Sequence, residues 1–318
     1  MGVFEKINIF ESILTKLVVF FLMAQIIGLY TGVVVIADLL KNPYITPLLV
    51  ETKDDINNAF LLFLYILIGA AVMILLIKKF SINEIIFLLL EFLLISAPSS
   101  IVFYAFLRLF FDDYAISMVI AIILALLLAA SKFAFPQLKN FAAILATAGV
   151  GVVFGISLSP QVVMLFLVLL TVYDYFAVFI TKHMIDFANF VIKKNLAFTI
   201  TAEATIEGQK KRVDIGSGDF VAPITFEVSL IAFNPIASLV VLGGAFIAAT
   251  IFLYFVWKKH IVLPALPPIV FGMFVAFLLG LVFVLYLVLN LFSLFLTLFS
   301  LYYFYSIFLL YYYGWFPR

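Results

Sequence analysis

Two acids stand where acids are costly. Asp219 lies in Gly216-Ser217-Gly218-Asp219-Phe220, where a basic, polar loop gives way to an apolar run ending at Phe233. Asp174 lies in Val172-Tyr173-Asp174-Tyr175-Phe176, inside a second apolar run. A carboxyl within a membrane-length apolar segment marks a functional site by default. Two carboxyls in one low-dielectric site cannot both ionise, so they hold one proton between them and titrate as a unit. The ionised member can take a proton from water while the protonated one polarises a peptide carbonyl, which is aspartic-protease chemistry. The same pair could instead carry protons or cations, so the two acids alone leave hydrolysis and transport open. Ser217, between glycines, superficially suggests a nucleophile. The only histidines, His183 and His260, flank apolar runs and neither is placed to activate it. There is no His-Glu-x-x-His motif and no cysteine, which removes zinc-protease, thiol and disulfide chemistry, and no metal or cofactor is expected.

The elements that must position these acids are membrane helices. The chain is 67% hydrophobic and 11% charged, with apolar runs of about 20 residues recurring throughout. The runs are apolar on every face, unlike the alternating strands of a β-barrel. The fold class is therefore an all-α polytopic membrane protein whose partner is lipid rather than nucleic acid. Spans are predicted near 13–36, 59–77, 85–107, 114–131, 141–158, 160–181, 216–233, 236–257 and 267–289, with a tenth run at 291–313. Leu17–Ile36 is expected to be a retained first span rather than a cleaved signal. Pro98 should kink the third span, and Gly149, Gly151 and Gly155 give the fifth a small-residue face for close packing. With the N-terminus cytoplasmic, most lysines and arginines, Lys132 and Lys139 among them, fall inside. Only Lys41, Lys53 and Arg108 fall in outer loops.

One connection is long, at 182–215. His183–Lys194 is apolar with a basic end, as in a helix lying in the interface. The stretch 196–207 then alternates, with Leu196, Phe198, Ile200, Ala202, Ala204 and Ile206 on one side and Thr199, Thr201, Glu203, Thr205 and Glu207 on the other. That period of two predicts a strand, which a turn at Gly208-Gln209 pairs with a second, Lys211–Ile215. Such a hairpin offers an edge to an extended peptide. Asp174 is ~12 Å of helix from Lys182 and Asp219 ~7–8 Å from Asp214, heights close enough for the acids to face one another. Glu227, eight residues after Asp219, and Glu91, in the third span, are further buried-acid candidates. Each is expected to hydrogen-bond a neighbouring helix, with a proton relay as the alternative.

Tyr173-Asp174, Gly216-Ser217-Gly218-Asp219 and Pro264-Ala265-Leu266-Pro267 together resemble, in order and in placement at span ends, the YD, GxGD and PAL motifs of the presenilin and signal peptide peptidase family of intramembrane aspartyl proteases. Tyr173–Val178 and the proline after Leu266 look closer to the presenilin branch and its microbial homologues. The resemblance implies a nine-span presenilin-like bundle, here with an extra C-terminal span, and a short β-hairpin in the sixth–seventh loop. It divides the chain into a scaffold, 1–158, a catalytic region, 159–290, and an aromatic-rich segment, 291–318. It implies Asp174 and Asp219 as the catalytic dyad, with Tyr173, Gly216 and Gly218 in support. Pro264, Ala265, Leu266 and Ser217 would contact substrate, although Ser217 departs from the leucine often found there. The implied substrates are transmembrane segments that unwind locally and pair as strands near the dyad. The competing function from another class is a proton- or cation-coupled transporter or leak channel using the same acids. No internal repeat supports it, and the break before Asp219 lies at the membrane boundary rather than at mid-depth.

Overall fold

The computed structural model describes residues 3–42, 49–50, 52–79, 84–180, 191–192, 194–206, 209–259, 263–283 and 290. Helices α1 (Val3–Lys41), α2 (Asn57–Lys79), α3 (Glu84–Leu107), α4 (Tyr114–Ala134), α5 (Lys139–Ser157) and α6 (Pro160–Phe179) lead into a hairpin of β1 (Thr199–Ile206) and β2 (Gln209–Gly216). Helices α7 (Gly218–Ile231), α8 (Pro235–Lys259) and α9 (Leu266–Phe283) follow. Seven of the described helices are long and apolar enough to cross a bilayer, and Asn57–Met73 is a shorter apolar helix. The protein is an integral, multi-pass membrane protein. The run 291–313 and most of 183–194 lie outside the described residues, so the tenth span and the interfacial helix have no counterpart to describe.

The seventh expected span takes an unexpected form. Instead of running 216–233 it is the 14-residue α7, about 21 Å long at ~1.5 Å per residue and short of a ~30 Å hydrocarbon core. The strand β2 runs up to Gly216 and Ser217 takes the N-cap position of the helix, so the first two residues of the expected span lie outside it. At the other end Asn234 ends the run, its Oδ1 accepting the N–H groups of Ile236 and Ala237 to start α8. Nearly every residue of α7 from Phe220 to Leu230 is buried, so this helix is the core around which the others pack.

Small residues let the neighbours approach it. A Cβ at Gly151 would meet Ile224 and the Val221 carbonyl, and one at Gly155 would meet Val228 and the Thr225 carbonyl, both on α7. The third glycine of that face serves a different neighbour, because a Cβ at Gly149 would collide with the carbonyl of Pro98 in α3. Without a hydrophobic driving force between helices in lipid, such close backbone contact supplies the dispersion energy that holds a bundle. Phe220 packs on Phe21 of α1, and Phe226 packs edge-on against Phe274 and Phe277 of α9.

Polar contacts gather at the two ends of the bundle. At the end away from the hairpin, Asp38 of α1 accepts hydrogen bonds from Tyr104 Oη and Arg108 Nε, each at 2.8 Å. At the hairpin end, Glu91 of α3 pairs with Lys132 of α4 and also accepts the N–H of Ala197. The neighbouring-helix partner expected for Glu91 is thus present. Glu227 differs: it is fully buried, and neither carboxyl oxygen has a hydrogen-bond partner among the described residues.

Candidate active site

The hairpin is built as alternation demands, with β1 shorter than the alternating stretch 196–207 and β2 longer than the expected Lys211–Ile215. Its antiparallel register pairs Thr199 with Gly216, Thr201 with Asp214, Glu203 with Arg212 and Ile206 with Gln209. Gln209 therefore belongs to β2, not to the turn. Ile200 and Ala202 enter the core, the latter against Ile13, Leu17 and Leu253. The polar face is covered too, which the sequence did not reveal. Buried Lys139, at the start of α5, donates to Thr199 Oγ1 and Thr201 Oγ1 at 3.0 Å each and lies 3.9 Å from Asp214. Arg212 binds both carboxylate oxygens of Asp214 at 2.7 Å. Burial pushes the Asp214 carboxyl up, but hydrogen bonds from Arg212 and Thr201, with the charges of Arg212 and Lys139, more than offset this and hold it below the usual carboxylate range.

The two edges of the hairpin are not equivalent. On β1, Asn140 Nδ2 donates to the Thr201 carbonyl at 2.7 Å while its Oδ1 accepts the Thr201 N–H at 2.9 Å. Lys16 Nζ donates to the next outward carbonyl, that of Glu203, at 3.0 Å. Because Thr201 spends both main-chain groups on Asn140, the residues of β1 that point away from β2 are 199, 201 and 203. The pairing then turns the main-chain groups of Arg212, Asp214 and Gly216 outward on β2. Among the described residues no hydrogen bond closes that edge.

That open edge leads into the acids. Ser217 donates its N–H to the Phe198 carbonyl at 3.0 Å, and Phe220 and Val221 return theirs to the Ser217 carbonyl, which places Asp219 in the first turn of α7. Asp174, buried on α6 five residues before its end, lies at the same end of the bundle. Asp174 Oδ2 also accepts the N–H of Leu266 at 3.3 Å, so the Pro264-Ala265-Leu266 stretch touches the first acid directly. Pro264 and Ala265 are buried behind it, and Leu266, Pro267 and Pro268 form the first turn of α9, where proline costs little. Neither Asp174 nor Asp219 has an ion-pair partner among the described cations. Among the described residues no group of histidine, cysteine or acidic side chains could hold a metal.

The remaining expected residues are placed less closely. Tyr173 lies edge-on to Phe63 of α2, their ring centroids 6.3 Å apart, so its ring braces α6 against α2. A Cβ at Gly216 would sit 3.4 Å from Asp219 Oδ2, whereas one at Gly218 would meet nothing within 4 Å. Gly218 thus faces open space, Gly216 lies against the Asp219 carboxyl, and neither packs closely on another backbone. Ser217 occupies the N-cap position of α7 and its side chain makes no capping bond. Sequence reasoning passed over Lys139, Asn140 and Lys132. The available signal was their position at helix ends beside the alternating stretch.

A multi-pass helical bundle with two carboxyls brought to one end is the architecture of a membrane aspartyl protease. Comparison with solved structures finds the same fold in a presenilin family intramembrane aspartate protease. In the C222 crystal form the TM-score is 0.62 at 24% identity over 85% of this chain and 99% of that one. In the P2 form it is 0.58 at 25% identity over 82% and 96%. A comparison with curated proteins finds no match. The model of the signal-peptide peptidase and presenilin aspartyl protease family matches residues 21–286, and the chain belongs to that family. It is an intramembrane aspartyl protease, and nothing favours a transporter.

Proposed function

We propose that the protein hydrolyses peptide bonds in the transmembrane segments of other proteins, with Asp174 and Asp219 as the dyad that activates water. The observation that carries this reading is the placement of Asp174. It is buried, without an ion-pair partner among the described residues, and held by the main chain of Leu266, at the end of the bundle where Asp219 lies in the first turn of α7. One carboxylate takes a proton from water, the water attacks the substrate carbonyl, and the protonated partner donates a hydrogen bond to the developing oxyanion. Proton return to the leaving nitrogen restores the pair, so no metal or cofactor enters.

A helical substrate shields its carbonyls in its own hydrogen-bond ladder, so the cleaved stretch must unwind. The outward groups of Arg212, Asp214 and Gly216 would pair with that stretch as a third strand and deliver the next residues past Ser217 and Gly218 to the acids. The open space at Gly218 and the first turn of α9 at Pro264-Ala265-Leu266 would bound its path. The nine-crossing count follows if α2 and the short α7 serve as the two crossings beyond the seven long helices, with 1–158 as scaffold, 159–290 as catalytic region and 291–318 as an added segment. The N-terminus and the hairpin are assigned to the cytoplasmic side on the lysine and arginine distribution.

The test is cleavage of a single-span substrate by protein reconstituted in vesicles. Parent protein should release two fragments, and Asp174→Ala and Asp219→Ala should release neither. Equal product from all three would exclude the assignment.

A further inference from the structure

A buried ion pair in the scaffold lies one hydrogen bond from the active-site hairpin. Glu91 is 0% exposed and Lys132 5%. The Glu91 oxygen that pairs with Lys132 also accepts the N–H of Ala197, two residues before β1 begins. The next residue, Phe198, accepts the Ser217 N–H at 3.0 Å, and Ser217 opens the helix that carries Asp219. A short polar chain therefore runs from Lys132 through Glu91, Ala197 and Phe198 to the base of the second acid.

The pair is an uneconomical way to hold α3 to α4. Taking two charges out of water is costly, and an apolar pair of similar volume would often serve stability as well or better. The second oxygen of Glu91 has no hydrogen-bond partner among the described residues. The α3–α4 seam already has buried apolar and small residues along it, including Ile95 and Val102 on α3 and Ala121, Ala125 and Ala129 on α4. The one contact an apolar pair could not supply is an acceptor for Ala197. That acceptor sits where the chain needs fixing. Asn195 has φ 52°, a left-handed conformation that asparagine tolerates better than most, and the chain there turns from its approach into the hairpin.

We infer that Glu91, oriented by Lys132, is a positioning residue for proteolysis: it fixes the root of the hairpin at Ala197 and thereby the Phe198–Ser217 bond that seats Asp219. This rests on the reading of Asp219 as catalytic. Misplacement of a reacting group by about 1 Å costs about 100-fold in rate, so a loosened root should act on turnover more than on substrate binding.

The experiment compares full-length Glu91→Leu/Lys132→Met, which removes both charges at similar volume, with Glu91→Gln/Lys132→Met, which restores a neutral acceptor. Each is measured for thermal unfolding, for kcat and KM on a single-span substrate, and for amide hydrogen exchange over 195–220. The Leu/Met variant should unfold near the parent temperature, exchange faster across 195–220 and lose about 10- to 100-fold in kcat with little change in KM. The Gln/Met variant should recover kcat and slow exchange. Parent kcat in a folded Leu/Met variant, or equal losses in both variants per folded molecule, would overturn the inference. Should Leu/Met fail to fold, Glu91→Gln/Lys132→Met decides against the parent by the same readouts: slow exchange and near-parent kcat per folded molecule support the tether, and fast exchange overturns it. An Asp219→Asn arm separates the two claims. Full activity there refutes the catalytic reading, whereas exchange over 195–220 reports the tether whether or not Asp219 is catalytic.

Discussion

The acids at the two ends of this bundle are treated differently by their surroundings. At the far end Asp38 is gripped by Arg108 and Tyr104, and on the hairpin Asp214 is gripped by Arg212. Those carboxylates are neutralised where they stand. Asp174 and Asp219 have no such cation among the described residues; Asp174 has a main-chain N–H from Leu266. A carboxylate paired with arginine has its charge and hydrogen-bonding capacity taken up, whereas two carboxyls sharing one low-dielectric site would hold one proton between them. On the proposed reading, the difference separates acids that hold the fold from acids that do chemistry.

The largest expected effect breaks that comparison at the site. Asp174→Asn and Asp219→Asn should each lower kcat/KM for a single-span substrate by about 10³-fold or more, within reach of the loss of one acid–base partner. Asp38→Asn, assayed beside them per folded molecule, should stay within a few-fold of the parent. The converse change attacks the fold. Asp38→Ala leaves Arg108 largely buried without its partner, and unfolding measurements should show about 3–5 kcal/mol lost, with turnover of the folded fraction retained.

Smaller effects sharpen the picture around α7. A methyl at Gly155 would stand 2.8 Å from the Thr225 carbonyl, so Gly155→Ala should cost about 1–3 kcal/mol of stability by overpacking. A neutral result would mean that α5 and α7 are less closely packed than described. The smallest effect is on pH dependence. Because the folded Asp214 carboxyl sits below its ordinary range, its contribution is complete above the ordinary value near ~4 and disappears as pH falls through the lower folded value. Asp214→Asn should therefore be less stable than the parent by a constant margin near neutral pH, and the margin should close on acidification. A margin that widens at low pH would contradict the pairing with Arg212.

Much of this was legible in the chain. Apolar runs located the helices, since a membrane span declares itself by length and composition. Strict alternation across 196–207 declared the hairpin, and the order of three short motifs brought Asp174, Asp219 and Leu266 to one end. The failures have a common cause. Lys132 and Lys139 look like members of a basic collar because a lysine at a helix end reads the same whether it meets water or a buried partner. Their partners lie 41 and 60 or more positions away, and only tertiary packing brings them together. The short α7 was missed because its apolar run continues past both helix ends, and nothing local says that Gly216 will close β2 and Ser217 take the N-cap position. Glu227 was expected to find a hydrogen bond and has none among the described residues.

The most direct test of the shared-proton pair is calorimetric binding of a peptide-like transition-state mimic, with a hydroxyl between its two arms, to the full-length protein in detergent or nanodiscs. A mimic of this kind binds through interactions made only in the transition state. The parent and Asp38→Asn should bind it alike, and Asp174→Asn and Asp219→Asn should each lose that binding. Undiminished binding by either active-site variant would contradict the account.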